Sequence, residues 1–88
     1  MIYCVRCINM HHAQDLVRRY ADKLKPYISE IRKYRAYPCI KLKDGSELHF
    51  ITHDYYKTWC KGITYKMIFN GKVEEEVYHS GHPVKSSD

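Results

Sequence analysis

From Cys39 to Phe50 the chain reads Cys-Ile-Lys-Leu-Lys-Asp-Gly-Ser-Glu-Leu-His-Phe, with apolar and polar residues alternating on either side of Asp44-Gly45. Alternation of this kind has the two-residue period of a strand, and an Asp-Gly pair is a preferred place for such a strand to fold back on itself. A three-residue loop with Gly45 in the left-handed region puts Ile40, Leu42, Leu48 and Phe50 on one face and sets Lys41 opposite Glu47. The centre of the chain is therefore an amphipathic antiparallel hairpin, and the rest of the sequence has to supply what packs against it.

Ahead of the hairpin the period changes. Ile2 to Ile8 is short, apolar and rich in β-branched residues, as a buried strand would be. From His11 onward Ala13, Leu16, Val17, Tyr20, Ala21, Leu24, Ile28 and Ile31 recur at three- and four-residue steps, which predicts one face of a helix. Pro26 falls inside that pattern and lacks an amide donor, so the helix is expected to kink there or to restart as a second short helix. Asn9 is the expected N-cap, Asp15 can pair with Arg18 or Arg19 one turn later, and Pro38 ends helical territory.

Beyond the hairpin, His53 to Gly62 reads as a loop or short helical turn. Asn70-Gly71 is the preferred pair for a two-residue turn, with Tyr65 to Phe69 as the incoming strand. Its expected register places Lys66 across from Glu75 and Ile68 across from Val73. The fold class expected is α+β: one long or kinked helix, or two helices, packed on a mostly antiparallel sheet of four to five strands. Residues 1–79 are expected to form a single domain, followed by a flexible tail over 80–88.

Eighty-eight residues hold one domain and leave no room for a strand-helix barrel or a full doubly wound nucleotide-binding fold, which need about 200 residues. Four cysteines are too few for a disulfide scaffold, and no apolar stretch is long enough for a signal peptide or a membrane span. A cytoplasmic protein without a membrane partner is the expectation. The net charge of +5 is uneven: Arg18 to Lys43 carries +7 and the remainder −2. Localised positive charge is the electrostatic footprint of a protein that meets phosphate or an acidic surface, and it is also common on plain solvated helix faces. The candidates for that contact are Arg18, Arg19, Lys23, Arg32, Lys33 and Arg35.

Nine tyrosines and Trp59 give the chain ten amphipathic aromatics. Tyr3, Tyr20, Tyr27 and Tyr65 are assigned to the core. Tyr34, Tyr37, Tyr55, Tyr56 and Trp59 lie on predicted loops and element ends beside cations, a composition suited to base stacking or to a protein hot spot. The expected binding surface joins the basic helix to these aromatics, with Tyr55, Tyr56 and Trp59 as anchors and Arg32, Lys33 and Arg35 as a charged rim. The competing reading makes Trp59 a core residue.

Cys4-Val-Arg-Cys7 has the spacing of half a zinc site, and His79-Ser-Gly-His82 could supply two more ligands. Positions three apart in a strand point to opposite faces, so Cys4 and Cys7 are expected to diverge and to serve as packing thiols, with no metal and no cofactor bound. His53-Asp54 with Cys60 or Cys39 would suit a small Cys/His hydrolase, but no catalytic signature surrounds these cysteines.

The order of an opening strand ending in Val5-Arg6, a long basic helix, the hairpin Ile40 to Phe50 and the strand Lys61-Gly-Ile-Thr-Tyr-Lys-Met-Ile-Phe69 resembles the middle of the RecA-like ATPase domain of phage terminase large subunits. The similarity covers about residues 2 to 71 and implies a phage or mobile-element setting on an ATPase-like scaffold. Where that family carries a metal-holding Asp and a catalytic Glu, this chain has Asn70 and Gly71, and the family's phosphate loop would come before Met1. ATP hydrolysis is therefore not expected. The function expected is that of a small non-enzymatic binding protein, acting as an inhibitor or accessory of a nucleic-acid-processing enzyme or defence system. Direct nucleic-acid binding through the basic helix face is the alternative, and the Cys/His hydrolase the second.

Overall fold

The computed structural model describes residues 1–84. Seven strands and two helices follow in the order β1 (Ile2–Cys7), α1 (Met10–Lys23), β2 (Ile28–Lys33), β3 (Pro38–Leu42), β4 (Glu47–Thr52), α2 (His53–Trp59), β5 (Thr64–Phe69), β6 (Lys72–His79) and β7 (His82–Pro83). The strands form one sheet in the order β2-β3-β4-β1-β5-β6-β7. The α+β class is as expected, but the sheet of four to five mostly antiparallel strands is not. β1 lies in the middle and runs parallel to both neighbours, β4 and β5, while the flanking pairs are antiparallel. Parallel neighbours need a crossover that leaves the sheet, and here α1 and α2 lie on its two faces.

Alternation along β1 separates the two cores. Val5 and Cys7 face α1, together with Ile40, Leu48, Phe50 and Ile68, and are covered by Ala13 and the half-buried Leu16, Val17, Tyr20, Ala21 and Leu24. Cys4 faces α2, with Ile51, Trp59, Cys60, Tyr65 and Met67. Both members of the Cys-x-x-Cys motif are therefore buried, one in each core, as a strand requires.

The central hairpin forms as its sequence implies. Ile40 pairs with Leu48 and Lys41 with Glu47. Gly45 has φ +93°, and the Asp44 carboxylate accepts the Ser46 N–H at 2.8 Å. Asn9 caps α1, its Oδ1 accepting the His12 N–H at 2.9 Å, and Asp15 pairs with Arg19 at 3.1 Å.

The helix does not continue through Pro26. α1 stops at Lys23, Lys25–Tyr27 makes one 3₁₀ turn containing the proline, and Ile28 and Ile31 belong to β2. Their three-residue spacing imitates a helix because a register shift between Ile28 and Glu30 adds a residue to the strand. The bulge brings both isoleucines to the α1 face, opposite Leu42 and Ile40, where unbroken alternation would have split them.

A similar irregularity alters the second hairpin. Ile68 faces Val73 as expected, but a shift between Lys66 and Ile68 sets Lys66 opposite Val77 rather than Glu75. The turn is Asn70-Gly71, with φ +51° and +78°. Alanine at Gly71 would keep that left-handed conformation at a cost of about 1–2 kcal/mol. Gly71→Ala is expected to lower the urea midpoint accordingly, and an unchanged midpoint would contradict the turn geometry.

The tail expected from residue 80 is also corrected over its first part. Ser80 and Gly81 turn the chain back at positive φ, and His82–Pro83 pairs with Tyr78 and His79 as β7. The Ser80 hydroxyl accepts the Gly62 N–H at 2.8 Å, which ties this turn to the loop after α2. Residues 85–88 of the expected tail lie outside the described residues.

Candidate functional site

The cations predicted to share one surface are distributed around the molecule. Arg18 and Arg19 of α1, with Lys25 and a single acid, Asp22, rim an open groove between α1 and β2 whose floor is Ile28 and Ile31. Ile31 is 47% exposed. Lys33 follows two residues after Ile31 on the same face of β2, whereas Arg32 sits on the opposite face, paired with Glu30 at 2.9 Å. Lys23 lines a separate depression on the other side of α1, towards Asn70 and Gly71, and Arg35 is exposed in the turn before β3. β2 is an edge of the sheet, so its outer backbone groups have no partner strand among the described residues.

The aromatic candidates do gather, but across the sheet from the basic helix and around a residue that the sequence reading passed over. His49 is 6% exposed. Tyr34 stacks on its ring at 6.3 Å, and Tyr37 and Trp59 each lie 5.4 Å from it. Tyr55 packs on Tyr37 at 5.8 Å. Tyr56 stands apart, with its ring under the Arg6 guanidinium at 4.4 Å and its hydroxyl bonded to that of Tyr65. Trp59 is 5% exposed, so it is a core residue and cannot be a contact anchor. The joint surface of basic helix and aromatic anchors therefore does not form: α1 and α2 lie on opposite faces, and the aromatics are spent largely on one another.

The hub of that aromatic layer is polar. His49 Nε2 meets Glu47 Oε1 at 2.9 Å, and Nδ1 meets the Tyr37 hydroxyl at 3.2 Å. Cys39 lies directly across the ladder from His49, and the ligand atoms of Cys39, Glu47 and His49 fall within 4.8 Å of one another. Burial holds the His49 imidazole below its ordinary pKa, against the pull of Glu47, which favours the neutral ring. Burial also pushes the Cys39 thiol up to about 11 and the Tyr37 hydroxyl up to about 12. The Trp59 N–H lies close enough to Tyr37 to offset part of that rise, yet it makes no hydrogen bond of normal geometry. A signal for this cluster was present in the hairpin itself. Once Lys41 is set opposite Glu47, the next pair on the same face is Cys39 with His49.

A third feature lies where the parallel strands end, the usual position of a crevice in a sheet of this kind. Arg6, Cys7, Ile8, His12, His53 and Phe69 line it. Arg6 donates to His53 Nδ1 at 2.8 Å, and the Ile8 N–H donates to His12 Nδ1 at 3.0 Å. Ile8 and Phe69 are largely exposed at 78% and 52%. The Cys7 thiol is pushed up to about 11 by burial and points back to the Val5 carbonyl. Neither pairing expected of a hydrolase is made: His53 is engaged with Arg6, and the Cys60 thiol is directed at the Lys57 carbonyl. His79 bonds Thr64, away from Cys4 and Cys7 in their separate cores.

Among the described residues no helix is long and apolar enough to cross a membrane. Comparison with family models, with curated proteins and with solved structures finds no match for the chain.

Proposed function

We propose that this chain is a small non-enzymatic binding protein whose groove between α1 and β2 takes an acidic, partly apolar segment of a protein partner. One observation carries the reading: a floor of Ile28 and Ile31 lies open between Arg18, Arg19 and Lys25, beside the unpaired edge of β2. An extended segment added at such an edge gains main-chain hydrogen bonds, its alternate apolar side chains can cover Ile31, and its carboxylates meet the rim. The layered aromatics favour this partner over bare nucleic acid, since rings already packed on His49 and on one another leave few open faces for bases.

The partner proposed is a component of a nucleic-acid-processing or defence system, in a phage or mobile-element setting. Support for the setting comes from the resemblance of the order of sequence elements to that of phage terminase large subunits. The four cysteines are free, in keeping with a reducing, cytoplasmic compartment. A non-enzymatic role is supported by thiols at Cys4, Cys7 and Cys39 that burial keeps protonated at neutral pH. Direct nucleic-acid binding is the second reading, favoured by Arg18, Lys25, Lys33 and Arg35, which have no carboxylate partner among the described residues.

Capture of partners from the native host with and without nuclease separates the two, and the groove variants then test the site. Ile31→Ser is expected to weaken the protein partner by about tenfold at every salt concentration, consistent with about 1.5 kcal/mol of lost apolar contact. The combined charge reversal Arg18→Glu, Arg19→Glu and Lys25→Glu is expected to act mainly at low salt, through the association rate. A nucleic-acid ligand would instead show a log-log salt slope of about −3 to −4 for four phosphate contacts. Undiminished affinity in both groove variants would remove the groove from the interface.

A further inference from the structure

We infer that Cys39, His49 and Glu47 form a binding site for one zinc ion on the α2-facing side of the β3–β4 hairpin. Cys39 and His49 are direct cross-strand neighbours, and Glu47 lies two residues before His49 on the same face. All three ligand atoms fall within 4.8 Å of one another on a paired, rigid ladder. Tetrahedral zinc holds such atoms about 3.3–3.6 Å apart, which follows from metal–ligand lengths of about 2.0–2.3 Å, so side-chain rotation suffices to close the set. One thiolate, one imidazole and one carboxylate suit zinc, whereas magnesium and calcium prefer sites made of oxygen alone.

The nitrogen of His49 that faces Glu47 is the ligand atom, because the other is already engaged by the Tyr37 hydroxyl. In the zinc-bound form Nδ1–H donates to Tyr37, the outer-shell hydrogen bond that commonly fixes the tautomer of a metal-bound histidine. As zinc binds, the ring passes its proton from Nε2 to Nδ1, the Tyr37 hydroxyl turns from donor to acceptor, and the Cys39 thiol gives up its own proton to solvent. Tyr34, Tyr37 and Trp59 pack around the ring, while Glu47, at 30% side-chain exposure, gives the ion a route in. The fourth position is left to water. This site is separate from the α1–β2 groove and does not depend on the binding role proposed for it.

Cobalt(II) is the spectroscopic probe and zinc the competitor. Metal-free protein titrated with cobalt(II) is expected to develop a thiolate-to-cobalt charge-transfer band that saturates at one equivalent and is bleached by zinc. Cys39→Ser is expected to abolish the band, and Glu47→Gln to weaken cobalt binding more than about tenfold. Cys4→Ser, Cys60→Ser and the pair His79→Ala with His82→Ala are expected to leave it unchanged. Glu47 is partly exposed, so Glu47→Gln decides the matter if Cys39→Ser fails to fold by circular dichroism. Absence of the band at saturating cobalt would overturn the site and leave His49–Glu47 as a plain buried hydrogen bond. A band that survives Cys39→Ser or is unaffected by Glu47→Gln would overturn it equally.

Discussion

Replacing Trp59 with alanine is expected to cost about 3–5 kcal/mol of folding stability and to leave the protein poorly folded at 37 °C. The indole is 5% exposed and is the piece of α2 that enters the core. It touches Tyr65 edge-on at 5.0 Å and His49 at 5.4 Å, so its loss opens a cavity between α2 and the sheet that no neighbour can fill. Domains are stable by roughly 0.05–0.15 kcal/mol per residue, which for 88 residues is about 4–13 kcal/mol in all. The substitution therefore removes a large fraction of the total. Urea denaturation followed by circular dichroism measures it. A Trp59→Ala protein that folds with a loss under about 1 kcal/mol would restore the tryptophan as a surface contact.

The counterpart on the other face is Phe50. It is fully buried and meets Tyr20 of α1 edge to face at 5.5 Å, so Phe50→Ala is expected to cost a similar 3–5 kcal/mol and to loosen α1 from the sheet. β1 contributes Val5 and Cys7 to one core and Cys4 to the other. The two cores are thus expected to melt together, and each variant should show a single transition. Hydrogen exchange adds the local detail, since amides of α1 should lose more protection than those of α2 in a Phe50→Ala protein held under folding conditions. Biphasic unfolding, or a loss confined to α2, would contradict the shared central strand.

Features set by short-range chemistry are legible in the sequence alone. Asp44-Gly45 and Asn70-Gly71 specify their turns because few residues tolerate positive φ, and alternation around the first of them dictates which side chains share a face. Asn9 is a cap and Cys4 and Cys7 diverge for equally local reasons. Two of the misreadings have one cause, which is that a pattern of spacing does not reveal a bulge. Ile28 and Ile31 looked helical because the extra residue between them in β2 turns a strand spacing of two into three. Two extra residues in β6 likewise moved the partner of Lys66 from Glu75 to Val77.

The candidate site divides along the same line. Its residue types were legible: cations concentrated between Arg18 and Lys43, and tyrosines beside a lone tryptophan. Their grouping was not, because it depends on which face of the sheet each helix crosses. The parallel pairing of β1 with both β4 and β5 sends α1 and α2 to opposite sides, which parts the arginines of α1 from the aromatics of α2. That pairing joins residues more than forty positions apart, and no local preference encodes it. The sequence by itself determined the turns of the hairpins, the cap and the interruption of the helix near Pro26, since each rests on the backbone freedom of one or two residues. Only the tertiary structure decided that the groove beside Ile31 stays open and that His49 is enclosed, because burial belongs to the packed layers and not to any one segment of the chain.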